Sequence, residues 1–92
     1  MRNLYFQRSN GSYLLIKENV ADEQEALKEI SEFLKRHNYN SYYTRMWYED
    51  NGAVTVFDVG SWTEFFKWAP AAAVTPVGTE ADFIERGTDN DL

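Results

Sequence analysis

An Asn-Gly pair at residues 51 and 52 separates two runs of β-forming residues, Tyr42 to Glu49 and Ala53 to Val59. Asn-Gly is the dipeptide best able to adopt the two positive φ angles of a type I′ turn, so the chain is expected to fold back here as a β-hairpin. A two-residue turn also sets the register. Glu49 falls opposite Val54, Tyr48 opposite Thr55, Trp47 opposite Val56, Met46 opposite Phe57 and Arg45 opposite Asp58. Alternation then puts Tyr42, Thr44, Met46, Tyr48, Phe57 and Val59 on one side, and Tyr43, Arg45, Trp47, Glu49, Val54, Val56 and Asp58 on the other. The first set is the more apolar and is assigned to the core. The second forms an outer face on which an Arg45/Asp58 cross-strand pair is flanked by Tyr43 and Trp47.

A chain of 92 residues makes one domain with a modest core. Aromatic residues form 16% of it, and most lie between Ser41 and Trp68, so the core is expected to be built from rings with some left over for contacts. The absence of cysteine excludes a disulfide framework, a thiolate nucleophile and sulfur ligands. With His37 the only histidine, neither a metal centre nor another cofactor is expected. No apolar run approaches the ~20 residues needed to cross a bilayer, and the start of the chain lacks a signal-peptide pattern, so a cytoplasmic location is expected. The net charge of −6 has the wrong sign for a phosphate-binding footprint, which argues against nucleic acid as a partner.

Leu4 to Arg8 and Tyr13 to Lys17 flank Ser9-Asn10-Gly11-Ser12, a second Asn-Gly hairpin signal. Asn3 to Gln7 also spells most of a tobacco-etch protease site, with Arg2 where such a site has Glu and Arg8 where it has a small residue. Asp22 and Glu25 form a capping box, after which Ala26, Leu27, Ile30, Phe33 and Leu34 recur at helical spacing. An amphipathic helix is expected from Glu23 to His37, with acids early and bases late as the helix dipole prefers, and with Asn38 as a left-handed cap. Gly60-Ser61 ends the fourth strand. Residues 61–68 read either as a capped helical turn or, with four aromatic β-formers, as a fifth strand or extended arm, and the latter is favoured.

The composition changes at Ala69 to Pro, Ala, Val, Gly and Thr, and then to an acidic run in which only Arg86 is basic. Two units are therefore expected: a single α+β domain over residues 1–68 and an acidic C-terminal arm over residues 69–92. Within the arm, Thr79 to Arg86 has the pattern of one short capped helix. The fold expected for the domain is an antiparallel sheet of four or five strands in the order ββαββ, with one helix packed on it.

Around Asp58-Val59-Gly60-Ser61-Trp62-Thr63-Glu64-Phe65-Phe66 the chain resembles short uncharacterised phage and prophage proteins of Gram-positive bacteria. The likeness extends over the opening hairpin, the helix, Tyr42-Tyr43 and Trp47. Those proteins often carry His where this chain has Trp62, so no imidazole role transfers. The resemblance implies a phage-encoded accessory protein acting on host machinery or host defence, with no activity attached.

Candidate binding residues are Tyr43, Arg45, Trp47, Asp58, Trp62 and Glu64. Rings such as Tyr43, Trp47, Trp62 and Trp68 supply contact area at low entropic cost, and Arg45 can grip a carboxylate or phosphate. The plain structural reading is that the rings pack the core and that Arg45 and Asp58 are a cross-strand ion pair. No base held against a nucleophile is visible, and nothing sets the distance between the Asp58 and Glu64 carboxylates, so an enzyme is not expected. Acidic residues on the helix and tail, interrupted by Lys28, Lys35 and Arg36, read as a solvated surface. The functional expectation is a non-enzymatic protein that binds or inhibits a host protein through the aromatic hairpin face. The alternative is a module that sequesters a small nucleotide or other anionic ligand by ring stacking plus Arg45. An uncovered aromatic face beside an edge strand favours a homodimer.

Overall fold

A computed structural model of the chain describes residues 1–39, 44–61 and 63–83. Its elements are β1 (Arg2–Gln7), β2 (Tyr13–Val20), α1 (Glu23–Arg36), β3 (Arg45–Glu49), β4 (Val54–Asp58), β5 (Phe65–Pro70) and β6 (Gly78–Thr79). Both Asn-Gly pairs lie in hairpin loops. Between β3 and β4 the expected register is present at every position from Arg45↔Asp58 to Glu49↔Val54. The loop itself is longer than two residues, because Asp50 joins Asn51 and Gly52 at positive φ (51°, 54° and 89°) and Ala53 is also out of the ladder. Between β1 and β2 the loop has three residues. Arg8 N–H donates to Ser12 O at 2.8 Å, Gly11 N–H donates to Arg8 O at 2.8 Å, and Gly11 alone takes the left-handed conformation.

The helix begins where the capping box puts it. Asp22 Oδ1 accepts from Glu25 N–H at 2.8 Å, and Glu25 Oε1 accepts from Ala21 N–H at 2.9 Å. It ends in a Schellman arrangement: Asn38, at φ 53°, donates to Lys35 O, and Tyr39 donates to Leu34 O at 2.9 Å. That closure turns the Tyr39 ring back into the core beside Phe6.

The sheet differs from expectation in strand count and order. Six strands are arranged β3-β4-β5-β1-β2-β6, antiparallel throughout except for the parallel β2/β6 pair. Residues 65–70 are not an outlying arm; β5 lies between β1 and β4 and bonds to both. The reason is that each hairpin has one open edge, and a strand apolar on both faces, here Phe66 and Trp68 on one and Ala69 on the other, pairs both edges at once. Pro70, which has no N–H, has the strand phase that faces β4, at a level where β4 has already given way to its loop. β1 is also internal, with Leu4, Tyr5 and Phe6 fully buried. Whatever its likeness to a protease site, that segment is a central strand.

On the helix side the core stacks Phe6, Phe33, Phe66 and Phe83 at centroid distances of 4.9 to 5.5 Å, joined by Leu4, Leu14, Ile30, Phe57 and Val59. Trp68 is part of this core: its Nε1 donates to Val20 O at 3.0 Å, and the Arg2 guanidinium lies 4.3 Å from its ring centroid. Leu27 and Met46, both expected in the core, are 40% and 42% exposed. Met46 is exposed because β3 is the edge strand, and the helix makes its main contacts with β2 and β5 instead. The opposite face has its own smaller cluster of Tyr5, Val54, Val56, Ala69 and Val74. Val54 and Val56, expected on an outer face, are thus buried, since the chain after Pro70 returns across that part of it, and Asp58, expected there too, is buried with its carboxylate held by Arg45 and Gly60.

Residues 69–83 are packed rather than pendant. Val77 N–H donates to Tyr13 O at 2.9 Å, β6 pairs with Leu14 and Leu15, and Thr79 caps a single 3₁₀ turn at Glu80–Asp82. Glu80 is clamped to the end of α1, accepting from Arg36 Nε and Nη2 at 2.9 and 3.1 Å and lying 2.7 Å from His37 Nε2. The rest of the helix read over Thr79 to Arg86, and the acids Glu85, Asp89 and Asp91, lie outside the described residues.

Two outcomes follow from this packing. Thr55 is fully buried and its Oγ1 has no hydrogen-bond partner among the described residues, so Thr55→Val should stabilise the fold by about 1 kcal/mol in urea unfolding. Burial pushes the Glu80 carboxyl up, but the bonds and charges of Arg36 and His37 outweigh it and hold the pKa below the ordinary 4.5. A depressed carboxyl stabilises fully above its unfolded value and ceases to do so as pH falls through the folded one. Amide exchange at Ala81 and Phe83 should therefore accelerate, relative to the rest of the sheet, only below about pH 4.5, and Glu80→Gln should remove that dependence.

Candidate binding surface on the β3 side of the sheet

On the face away from the helix, three cross-strand rows run from β3 inward. The first is Arg45, Asp58, Phe65, Gln7 and Tyr13; the second is Trp47, Val56, Lys67, Tyr5 and Leu15; the third is Glu49, Val54, Ala69 and Asn3. The strands alternate strictly, so these side chains share a side. Val74 and its neighbours cover the third row and part of the second. What remains open is a patch around Arg45, Trp47, Phe65, Lys67 and Tyr13.

Each charge in the patch has a partner. Asp58 is buried; its Oδ2 accepts from Arg45 Nη2 at 2.7 Å and its Oδ1 from Gly60 N–H at 2.9 Å. The carboxylate thus joins the edge strand to the turn at Gly60, where φ is 101°. Lys67 Nζ donates to the Tyr13 hydroxyl at 3.0 Å and lies 3.4 Å from Glu49 Oε1. Burial works against the Lys67 charge, but Tyr13 and Glu49 outweigh it and raise the pKa, so the residue stays cationic at neutral pH. Trp47 meets Phe65 edge to face at 6.0 Å and is 37% exposed. On the other side of the same strand Tyr48 is 57% exposed, and the Glu23 carboxylate in the first turn of α1 raises the phenol's pKa.

Of the six residues selected from sequence, Arg45, Trp47 and Asp58 lie together on this face. Tyr43 and Trp62 lie outside the described residues. Glu64 has the phase of Phe66, on the helix side, where its Oε1 accepts from the Tyr39 hydroxyl at 2.7 Å. Lys67, Phe65 and Tyr13 were not selected. The alternation of Phe65 and Lys67 with Phe66 and Trp68 was visible, but only the pairing of β5 with β1 and β4 sets Phe65 against Trp47 and Lys67 between Glu49 and Tyr13.

The fold and this surface define a small α+β domain with an aromatic, charge-lined sheet edge. No protein-family model, curated protein or solved structure matches the chain. No helix among the described residues is long and apolar enough to cross a membrane.

The Arg45–Asp58 pair joins a solvent-facing guanidinium to a buried carboxylate, so its contribution should exceed that of a surface pair. A double-mutant cycle with Arg45→Ala and Asp58→Asn, read by urea unfolding, should give a coupling energy of about 1 kcal/mol. Asp58→Ala alone should cost more, about 2 kcal/mol, because it also strands the Gly60 N–H.

Proposed function

We propose that the chain is a non-enzymatic accessory protein of phage type that binds, and by binding inhibits, a host protein in the bacterial cytoplasm through the aromatic face of the β3–β4 hairpin. The observation that carries this reading is the contrast between the two strands. β4 is buried along its whole length, whereas all five residues of β3 are exposed, among them Met46, Trp47 and Tyr48. A rigid support under exposed Trp, Tyr and Arg has the composition of an interaction hot spot with a charged rim. The resemblance of Asp58 to Phe66 to phage and prophage proteins supports the phage assignment.

The alternative reading, a module that sequesters a small nucleotide or similar anion, draws on Arg45 and Lys67 flanking Trp47 on one face. It is weakened by Asp58 and Glu49, which already stand against those two cations. Affinity capture from host lysate separates the two readings. A stoichiometric protein should be retained by the native chain and lost with Trp47→Ala, at a cost of about 2 kcal/mol in binding, while circular dichroism shows the variant folded. A nucleotide released on denaturation, lost with Arg45→Ala and with no protein retained, would replace the first reading with the second. Retention unchanged by Trp47→Ala would remove this face from consideration.

A further inference from the structure

The two edges of the sheet are guarded very differently. Beyond β2, the parallel strand β6 covers Leu14 and Leu15, and the register shifts twice on the way to Asn19, which sits at φ 58° beside Lys17 and Glu18. Coverage, bulges and edge charges are the usual ways in which a sheet is kept from adding another strand. Among the described residues β3 has neither of the first two, and its charges stand only at its ends, Arg45 at one and Glu49 at the other. It contains neither Pro nor Lys, its pairing with β4 is unbroken, and no described strand lies beyond it.

The direction of its outer backbone groups follows from the ladder. The Arg8–Ser12 bond sets the phase of β1, so Asn3, Tyr5 and Gln7 face β5. Alternation carried across the registers then has Phe66 and Trp68 facing β4, and Val54, Val56 and Asp58 facing β3. Glu49, Trp47 and Arg45 therefore bond inward, and the N–H and C=O groups of Met46 and Tyr48 point outward.

A second copy related by a two-fold axis normal to the sheet would meet this edge antiparallel, and the residue on the axis decides the register. Axes through Arg45 or Glu49 oppose like charges, and axes through Met46 or Tyr48 set Trp47 against Arg45 or Glu49. Only an axis at Trp47 sets Arg45 opposite the partner's Glu49 at both ends, while Met46 and Tyr48 exchange all four outward backbone bonds with the partner's Tyr48 and Met46. Trp47 and Arg45 then occupy the pairs without backbone bonds, where side chains approach most closely. Each end becomes an alternating row of Lys67, Glu49, the partner's Arg45 and the partner's Asp58.

We infer that the chain pairs with a second copy of itself through antiparallel β3 edges centred on Trp47, giving a continuous twelve-stranded sheet. Both helices lie on one side of that sheet, and the two patches around Trp47 merge on the other. The partner copy thus supplies half of a composite surface. The inference rests on the edge and its charges, not on the existence of a host target.

Sedimentation equilibrium of the native chain tests it first, with a mass of twice 10.7 kDa expected. Glu49→Arg, on an exposed site, should weaken the dimer at least about tenfold by opposing it to the partner's Arg45. Met46→Pro, which deletes an outward N–H and no bond within the fold, should do the same. The chain has no cysteine, so register is read directly: Trp47→Cys should form an intermolecular disulfide under mild oxidation. Met46→Cys should not, because diagonal positions lie beyond the ~7 Å that a disulfide spans. A monomer at all concentrations, or a dimer indifferent to both Glu49→Arg and Met46→Pro, would overturn the inference. So would more efficient cross-linking of the Met46→Cys variant than of the Trp47→Cys variant. The cross-link reports pairing whether or not a host protein is captured, so it fails or succeeds independently of the proposed function.

Discussion

The double pairing of β5 is the interaction on which the rest of the molecule depends. Neither hairpin is stable alone in water, because a two-stranded ribbon exposes one apolar face and two edges. β5 bonds to β1 along its whole length and to β4 over three residues, turning two marginal hairpins into one sheet. Its side chains then serve both cores: Phe66 joins the ring stack under the helix, and Ala69 leaves room for the returning chain on the other side. That layout also explains why the helix needs only one apolar stripe. It covers β1, β2 and β5 through Ala26, Ile30 and Phe33, and leaves the end of the sheet at β3 to solvent.

The same arrangement produces the unusual surface. β4 is sealed between β5 and β3 and is buried on both faces, so it holds β3 rigidly without covering it. The Arg45–Asp58 pair and the Lys67–Glu49 pair keep the open patch electrostatically balanced. The acidic 3₁₀ turn at Glu80 acts elsewhere, locking the C-terminal segment to the end of α1 through Arg36 and His37.

Much of the local structure was legible in the residues. The capping box at Asp22, the left-handed Asn38 and the register of β3 on β4 all arise from interactions within a few residues or across one turn. The turn chemistry was read less well, since Asp50 accepts a positive φ as readily as Asn51 does. Of the candidate site, Arg45, Trp47 and Asp58 were found because a hairpin alone aligns them. Lys67 and Tyr13 were not, because Lys67 lies beyond β4 from Trp47 and Tyr13 beyond β4, β5 and β1.

What the sequence by itself determined is therefore whatever short-range physics decides: which segments turn, which one is helical, and which side chains alternate together. Tertiary structure decided strand order, and with it which of two alternating faces is buried. Met46 and Val56 illustrate the difference. Periodicity separates them correctly but cannot say which side meets a covering layer. That depends on where the helix and the chain after Pro70 lie, and both positions are set by the long-range pairing of β5.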